Sequence, residues 1–245
     1  MTVEATPTPL RVLACSIAFN ESAKIVRVVD RVNRADVDEF MVFDDGSTDT
    51  TPQDVRDRGF RVVSHETQRG VGAAIRTVIR LAQKEHFDVV VIMAGNDKDR
   101  PQEIPKLLDP IRRGEADFVQ GSRYLPGGDF GNMPVYRRLA TQFVHPWLFS
   151  LVTFRRITDS TNGFRAFRVS LFDDPRINID QDWLVKYELE PYIFFKAIRL
   201  GYKVREVPVT KIYPPHEQGY TKMKPITGWW SILRPIVLLG LRLKT

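Results

Sequence analysis

The sequence Phe43-Asp44-Asp45-Gly46-Ser47-Thr48-Asp49-Thr50 follows directly on an apolar run at residues 40–43. Such a run, bounded by turn residues, predicts a buried strand, here one that ends in two carboxylates, a glycine turn and a helix start. Ligands bind at the carboxyl ends of strands in open α/β sheets, where carboxylates accept hydrogen bonds from a base or a ribose. The alternative is a turn with an Asp N-cap. Ser47 and Asp49 would satisfy it, but a cap does not require two adjacent acids ahead of the glycine.

Further apolar runs alternate with helix-like segments around this stretch. The apolar runs are residues 12–19, 40–43, 60–63, 89–93 and 118–119, and the helix-like segments are residues 22–32, 51–58, 71–85 and 102–113. Short buried strands joined by helices form parallel sheets with right-handed crossovers. The alternation therefore predicts an α/β fold with a mostly parallel, Rossmann-like sheet flanked by helices.

A second region begins after Tyr124, where the alternation stops. A loop is predicted at residues 125–129 and a helical stretch rich in aromatic side chains at residues 134–154. Two further strands are predicted at residues 164–169 and 204–209, around a helix at residues 185–200. Gly201 follows that helix in the usual position of a helix-terminating glycine.

The length and the cysteine content limit the class of protein. A chain of 245 residues suits one large domain, or a domain with an appendage. Cys15 is the only cysteine, so no internal disulfide can form and a reducing, cytoplasmic compartment is expected. Residues 1–9 lack a basic segment followed by an apolar core, which predicts a disordered leader rather than a signal peptide.

The carboxyl-terminal end of the chain is strongly basic. The net charge is +6, and residues 196–245 contain ten Lys or Arg against two Asp or Glu. Such an end can meet nucleic acid, anionic lipid or a phosphorylated substrate. Residues 229–241 are aromatic and aliphatic but shorter than the ~20 residues that span a bilayer, so residues 226–245 are predicted to be an amphipathic tail on a membrane surface. Core packing, or a contact in a homo-oligomer, is the alternative.

Several motifs occur in the order found in one enzyme family. Phe19-Asn20-Glu21 ends the first strand, the D-D-G-S-T-D sequence ends the second, and Arg69-Gly70-Val71-Gly72 opens a helix. With these features the chain resembles the family-2 glycosyltransferases, which have the GT-A fold, over about residues 10–225. The second half is similar to the dolichyl- and polyprenyl-phosphate sugar synthase branch. The motifs there are Gly121-Ser122-Arg123, Leu125-Pro126-Gly127-Gly128, Asp159-Ser160-Thr161-Asn162-Gly163-Phe164-Arg165, Glu206-Val207-Pro208-Val209 and Gly219-Tyr220-Thr221-Lys222-Met223.

The resemblance divides the chain into a nucleotide-sugar-binding half, residues 10–124, and an acceptor-binding half of the same domain, residues 125–225. It implies that Asp45 hydrogen-bonds the nucleotide base and that Asp44 braces the turn. Arg69 would meet the diphosphate, and the glycines after it would let the backbone approach closely; a simple helix entrance is the alternative. The residues that the resemblance places at the nucleotide-sugar are Phe19, Asn20, Glu21, Asp44, Asp45, Arg69, Gly70, Asn96 and Lys98.

The sequence departs from the family at the end of the fourth strand. Family members have D-x-D there, and its second acid ligates a divalent cation that bridges the phosphates of the donor. This chain has Ala94-Gly95-Asn96, followed by Asp97-Lys98-Asp99. The predicted cofactor is Mg2+ or Mn2+, with Asn96, Asp97 and Asp99 as oxygen ligands. The alternatives are a metal-independent enzyme in which Lys98 and Arg69 neutralise phosphate, and a relative that only binds.

The chemistry of the acceptor decides whether a catalytic base is needed. Family members of this type invert the anomeric centre in a single displacement. A lipid phosphate is already anionic and needs no base, whereas a sugar hydroxyl needs a nearby carboxylate. Glu188 and Glu190 are two positions apart on a predicted helix, so at most one of them enters the site. The candidate catalytic residues are Asp159, Glu188 and Glu190, and the candidate phosphate contacts are Arg123, Arg165 and Lys222.

The resemblance implies an inverting glycosyltransferase that moves a sugar from a UDP- or GDP-linked donor to a polyprenyl phosphate or other lipid-linked acceptor. It would work in the cytoplasm, peripherally at the inner face of the plasma membrane. The alternatives are transfer to a hydroxyl of a surface-polysaccharide or glycolipid precursor, and a non-catalytic nucleotide-binding role. A dinucleotide oxidoreductase is disfavoured because no G-x-G-x-x-G follows the first strand. Nucleic acid is not an expected partner, because the aromatic residues of the basic end cluster with aliphatic ones.

Overall fold

The computed structural model describes residues 9–213 and 225–244. Its strands are β1 (Val12–Ala18), β2 (Glu39–Asp44), β3 (Arg61–Ser64), β4 (Val89–Ala94), β5 (Phe118–Ser122), β6 (Arg165–Arg168) and β7 (Val204–Pro208). Its α-helices are α1 (Ser22–Val29), α2 (Thr51–Arg56), α3 (Val71–Lys84), α4 (Ile104–Arg112), α5 (Val135–Leu139), α6 (His145–Thr153), α7 (Leu189–Arg199) and α8 (Pro225–Gly240). A π-helix, Ala140–Val144, joins α5 to α6.

The described strands form one sheet in the order β3-β2-β1-β4-β6-β5-β7. Every pairing in it is parallel except those of β6, which runs antiparallel between β4 and β5. The predicted α/β class with a mostly parallel sheet is confirmed. Arg165, the first residue of β6, lies opposite Ile92 of β4 and Gln120 of β5. The reversal of β6 thus brings the segment before it, residues 159–164, to the same sheet edge as the carboxyl ends of β1, β2 and β4.

The sheet is buried on both faces, and its side chains alternate between two apolar clusters. In β1, Leu13 and Cys15 face the layer that contains α3, α6 and α7. Val12 and Ala14 face the layer that contains α1 and α4. A central strand covered on both sides reads as a continuous apolar run, which is why the period-two alternation of a half-exposed strand is missing from the sequence.

Three predicted boundaries differ from the structure. The strand predicted at residues 118–119 continues through Gln120, Gly121 and Ser122, which are buried because β5 is flanked by β6 and β7. The helix predicted at residues 185–200 begins only at Leu189, since the backbone of residues 184–186 instead crosses the start of α3. The predicted helix at residues 134–154 is interrupted by the π-helix and ends where Phe154 adopts a left-handed φ of 57°.

The described part of the carboxyl-terminal tail is helix α8, and part of it is core. Ile236 and Leu239 are 4% and 5% exposed and belong to the cluster on the α6–α7 face of the sheet. No helix within residues 9–213 and 225–244 is both long and apolar enough to cross a membrane. The predicted leader, residues 1–9, lies outside the described residues except for Pro9.

Candidate active site

The carboxyl ends of β1 and β2 are joined by hydrogen bonds through Asn20. Its backbone N–H donates to Ser47 Oγ at 2.8 Å, and its Oδ1 accepts from the Thr48 N–H at 2.8 Å. Asn20 has a left-handed φ of 50°, a conformation that asparagine tolerates better than most residues. The Asp44 carboxylate accepts from the Ser47 N–H at 3.2 Å, so it braces the turn as predicted. The neighbouring Glu21 is buried, and its N–H donates to Thr51 Oγ1.

Asp45 connects this turn to the loop before α3. It is 3% exposed; its Oδ1 contacts His65 Nδ1 at 2.7 Å and accepts from the Arg69 N–H at 3.0 Å. Its Oδ2 accepts from the Gly70 N–H at 2.7 Å. A carboxylate has about four acceptor positions, and these three contacts leave one on Oδ2. Asp45 therefore fixes the loop that carries Arg69 and still has acceptor capacity.

The glycines after Arg69 admit a second segment of the same chain. A Cβ on Gly72 would lie 2.6 Å from the carbonyl oxygens of both Leu184 and Lys186. Gly70 has a φ of 96°, and a Cβ there would lie 2.8 Å from the Val185 carbonyl oxygen. The close approach that was predicted for a ligand is thus made by the backbone of residues 184–186. The Arg69 side chain is exposed.

The three predicted metal ligands do not converge. Asp97 has a left-handed φ of 63° and pairs with Arg27, at 2.6 Å, and with Arg31. Asp99 is fully buried, accepts from the Ala94 N–H at 3.0 Å and pairs with Lys211 at 2.6 Å. Across the described part of the chain, no three His, Cys, Asp or Glu side chains are grouped to hold an ion. The two acids point to different cations, so Asn96, Asp97 and Asp99 as placed do not fit a shared Mg2+ or Mn2+ ion.

Lys98, between these two acids, lies where the two halves of the site meet. It is 7% exposed, and its Nζ lies 4.7 Å from the centroid of the Tyr213 ring. Burial, reinforced by the charges of Lys211 and Arg137, lowers the pKa of Lys98 to about 7, and the carboxylate of Glu21 opposes this shift. Lys98 therefore lies among the positive charges of Lys211, Arg137 and Lys24, with Glu21 as the opposing charge.

A buried ion pair follows the end of β5, in the half of the chain that was predicted to bind the acceptor. Arg123 and Asp159 are 2% and 0% exposed, and they form two hydrogen bonds, of 2.7 Å from Nε and 2.8 Å from Nη2. Burial alone would raise the pKa of Asp159, but the charge and the hydrogen bonds of Arg123 hold it below its usual range. Arg123 also donates to Thr161 Oγ1 at 2.6 Å and to the Tyr213 hydroxyl at 3.3 Å. Asp159 is thus an ionised partner of Arg123.

Tyr213 is the centre of a group of cations that sequence reasoning missed. The guanidinium of Arg137, on α5, lies 5.4 Å from the centroid of its ring, and Lys98 Nζ and the Arg123 guanidinium approach the same side chain. We call Lys98, Arg123, Arg137 and Tyr213 the Tyr213 cluster. No motif marks Tyr213 or Arg137, and the only sequence signal is the arginine pair 137–138 within an aromatic helix.

Glu206 supports the segment that carries Asp159. Its carboxylate accepts from the N–H groups of Thr158 and Asp159, at 2.9 and 3.0 Å, and from Thr158 Oγ1 at 2.8 Å. Burial raises the pKa of Glu206, and these hydrogen bonds oppose that shift. The matched Glu-Val-Pro-Val sequence could have identified this residue as a support of the site.

The remaining predicted acceptor residues contact other protein groups. The Glu188 carboxylate accepts from the Lys186 N–H at 2.9 Å and lies 3.8 Å from Arg234. Arg165 is 3% exposed, donates to the carbonyl oxygen of Glu190 at 3.0 Å and lies 3.4 Å from its carboxylate. Arg165 therefore ties β6 to α7. The predicted contact Lys222, and the Gly219–Met223 motif that contains it, lie outside the described residues.

Residues 14–174 match the family described as glycosyl transferase family 2. The chain belongs to this family. An undecaprenyl-phosphate mannosyltransferase from Micrococcus luteus is 31% identical over 227 residues, which cover 87% of this chain and 88% of that protein. A polyprenol monophosphomannose synthase from Mycolicibacterium smegmatis is also 31% identical, over 87% of this chain and 81% of the relative. The predicted transferase class and its polyprenyl-phosphate branch are confirmed.

A glucosyl-3-phosphoglycerate synthase from Mycobacterium tuberculosis, crystallised with Mn2+, UDP and phosphoglyceric acid, has a similar fold. The TM-score is 0.66 at 21% identity, over 93% of this chain and 78% of that one. The predicted GT-A fold is confirmed by this likeness, which concerns the fold alone. The same synthase has also been crystallised with Mg2+ and UDP, so divalent ions accompany the donor nucleotide in that neighbour.

Proposed function

We propose that this glycosyltransferase moves a sugar from a nucleoside-diphosphate sugar to the phosphate of a polyprenyl-type lipid. The observation that carries the proposal is the Tyr213 cluster, in which the basic side chains of Lys98, Arg123 and Arg137 converge on one tyrosine. Arginine and lysine at such a site suit a phosphate group. The relatives named above, which act on undecaprenyl and polyprenol phosphates, support the same acceptor class.

The carboxylates in the acceptor half favour a phosphate acceptor over a hydroxyl. A hydroxyl acceptor needs a general base within hydrogen-bonding reach. Asp159 is held ionised by Arg123. Glu206 accepts hydrogen bonds from the backbone N–H groups of residues 158 and 159. Glu188 accepts from a backbone N–H, and Glu190 lies beside Arg165. Each acid is engaged in holding the site together, which suits an acceptor that brings its own negative charge.

The proposed reaction is one displacement with inversion. An oxygen of the lipid phosphate attacks C1 of the sugar, the bond from C1 to the β-phosphate oxygen breaks, and its electron pair leaves with the nucleoside diphosphate. No proton is transferred. The protein contributes position and charge, which are the main sources of rate in such a step. Lys98 lies where the departing diphosphate and the incoming phosphate would both be close to it.

We propose that the donor binds at the ends of β1, β2 and β4. The remaining acceptor position of Asp45 would take an N–H of the base, with Phe19, Asn20, Glu21 and Asp44 around it. Arg69 and Gly70 at the α3 entrance, together with Asn96 and Lys98, would face the diphosphate.

A divalent ion at Asn96, Asp97 and Asp99 remains a prediction. When bound, Mg2+ or Mn2+ would neutralise phosphate charge on the donor. In the described geometry such an ion would have to displace Arg27 and Arg31 from Asp97, or Lys211 from Asp99. We therefore assign the neutralisation of the diphosphate to Lys98 and Arg69, and derive no step through a metal.

We place the reaction at the cytoplasmic face of the membrane, with the protein bound at its surface. The test is to incubate the full chain with UDP- and GDP-sugars and a polyprenyl phosphate, and to follow the product by mass spectrometry and 31P NMR. The expected product is a phosphodiester with the mass of one added sugar. A glycosidic product on a hydroxyl acceptor, or nucleotide binding without transfer, would replace the proposal with one of the two alternatives.

A further inference from the structure

The helical segment at residues 135–154 has its apolar side turned outward. Six large apolar side chains follow one another at intervals of three or four residues, with exposed fractions between 49% and 80%: Tyr136, Leu139, Phe143, Trp147, Leu151 and Phe154. Residues at this spacing lie on one side of a helix. Val135 and Val144 beside them are 69% and 54% exposed. We call these eight side chains the outer stripe.

The opposite side of the same segment is buried and is also spaced by four. Thr141, His145, Phe149 and Thr153 are exposed by only 1–4%. A surface helix ordinarily turns polar side chains to water. The outer stripe is instead a contiguous apolar surface on a helical segment about 30 Å long at 1.5 Å per residue, and exposed apolar surfaces of such extent mark interaction sites.

Helix α8 lies alongside α6 and adds to this surface. His145 contacts the Ile232 carbonyl oxygen at 3.3 Å, and a Cβ on Gly240 would lie 2.7 Å from the Val152 side chain. From the first contact to the second, the residue number rises on both helices, so the two helices run parallel. Helix α8 and the residues after it have further exposed apolar side chains, namely Trp230, Val237, Leu241 and Leu243.

The charge around this surface has one sign. Residues 130–158 contain Arg137, Arg138, Arg155 and Arg156 and no Asp or Glu. Residues 225–245 contain three Lys or Arg and no acid. Of these four arginines, Arg138 and Arg156 are exposed. An apolar layer with exposed arginines beside it complements the acyl chains and anionic headgroups of a phospholipid surface. It does not complement a second copy of itself, because the like charges would then face each other.

The inner side of the segment reaches the Tyr213 cluster. Arg137 belongs to that cluster, and Thr141 Oγ1 of the π-helix lies 2.6 Å from the hydroxyl of Tyr124, the residue after Arg123. Further along, His145 Nδ1 lies 2.7 Å from Ser160 Oγ, next to Asp159. One helical segment thus has the exposed apolar surface on its outer side and the proposed phosphate site on its inner side. Single π-helical turns inside α-helices are frequent at functional sites.

We infer that the outer stripe is the surface by which this protein docks on an anionic phospholipid bilayer, so that a lipid phosphate can enter the Tyr213 cluster from the membrane. This rests on the proposed function for the identity of the acceptor, but the docking itself does not. It moves the main membrane contact from the carboxyl-terminal tail, where the sequence predicted it, to residues 135–154, with α8 as a flank.

The test is cosedimentation of the full chain with vesicles of phosphatidylcholine, with and without phosphatidylglycerol. We expect binding that requires phosphatidylglycerol. The double substitution Phe143→Ser and Trp147→Ser should lower it at least roughly tenfold, because burying two such side chains in lipid contributes more than that factor. Val185, 39% exposed and outside the stripe, provides the control. The Val185→Ser variant should bind vesicles like the unmodified chain.

Two results would overturn the inference. One is unchanged vesicle binding by the double variant with circular dichroism like that of the unmodified chain. The other is concentration-dependent dimerisation, measured by light scattering without vesicles, that the double substitution abolishes. Transfer to a short-chain, water-soluble polyprenyl phosphate separates docking from chemistry. The double variant should keep that activity, whereas failure of the unmodified chain to use this acceptor would reject the proposed function and leave the docking result standing.

Discussion

Replacing Asp159 by asparagine should destabilise the protein without removing a catalytic base. Asp159 and Arg123 are 0% and 2% exposed and form a bidentate pair. Asparagine keeps the shape of the side chain but leaves the guanidinium buried without a counter-charge. Breaking a buried ion pair in this way costs about 3–5 kcal/mol. For a domain of this size that loss lowers the melting temperature by roughly 6–20 °C.

The assay is urea unfolding of the Asp159→Asn variant followed by circular dichroism, together with turnover at a temperature where the variant is folded. An exposed pair provides the control: Asp109 is 62% exposed and lies 3.2 Å from Arg113. Asp109→Asn should change the free energy of unfolding by less than about 0.5 kcal/mol. Replacing both members of the buried pair, as Arg123→Met with Asp159→Leu, should restore part of the lost stability, because no charge is then left unpaired.

The opposite pattern would refute this reasoning. If Asp159, one of the three candidate catalytic residues, were a general base, Asp159→Asn would reduce turnover by about two to four orders of magnitude. The free energy of unfolding would then stay within about 1 kcal/mol of the unmodified chain, a smaller loss than a broken buried pair produces. That result would also favour a hydroxyl acceptor over a phosphate.

Three further predictions concern other parts of the molecule. Lys98→Met should weaken binding of the nucleoside-diphosphate sugar at least roughly tenfold, as loss of a desolvated charge contact does, while Lys98→Arg should retain more of the affinity. The affinity measured by calorimetry should be the same in EDTA as in Mn2+. Binding abolished by EDTA would show that a metal, rather than Lys98, neutralises the phosphates. Burial lowers the pKa of His145 from its ordinary 6.5 to about 4, so the unfolded chain binds the proton more tightly and stability is lost as pH falls below 6.5. Between pH 7.5 and 5.5 this loss should be about 1.4 kcal/mol more than in His145→Gln, measured by urea unfolding, and equal losses would contradict the assigned cause. Gly72→Ala should destabilise the chain by about 1–3 kcal/mol through overpacking, because its Cβ would lie 2.6 Å from two carbonyl oxygens. Gly114→Ala is the control, since a Cβ there would meet nothing within 4 Å and only backbone strain is tested. A loss of stability smaller in Gly72→Ala than in Gly114→Ala would exclude the clash.

Local patterns were enough to predict the polar groups at the carboxyl ends of β1 and β2. The apolar run before Asp44 is a buried strand, and Asn20, Asp44 and Asp45 converge at its end as expected. These residues follow strands directly, and parallel strands end at one edge. Proximity there is a consequence of the strand pattern, so the sequence can predict it.

The acceptor half could not be predicted in the same way. Tyr213, Arg137 and Lys98 are separated by tens of residues. They meet because the segment after β7 pairs with the segment after β4, through the Asp99–Lys211 bridge, and because Arg137 of α5 reaches the same tyrosine ring. The motif residues Asp159 and Arg165 were found, but their environment was not. A motif specifies a residue type at a position, whereas the neutral or charged state of a carboxylate depends on what surrounds it in the fold.

The sequence by itself determined the α/β class, the family and the grouping of polar residues at the carboxyl ends of β1 and β2, because these follow from strand and helix periodicity and from residues close together in the chain. Only the tertiary structure decided that Asp97 and Asp99 face separate cations and that Asp159 pairs with Arg123. It also decided that one side of the apolar segment 135–154 is exposed and the other buried. Both sides of that helical segment are apolar or weakly polar, so periodicity could not distinguish the buried side from the exposed one. Burial and ion pairing are properties of packing between distant segments, and they become definite only when the chain has folded.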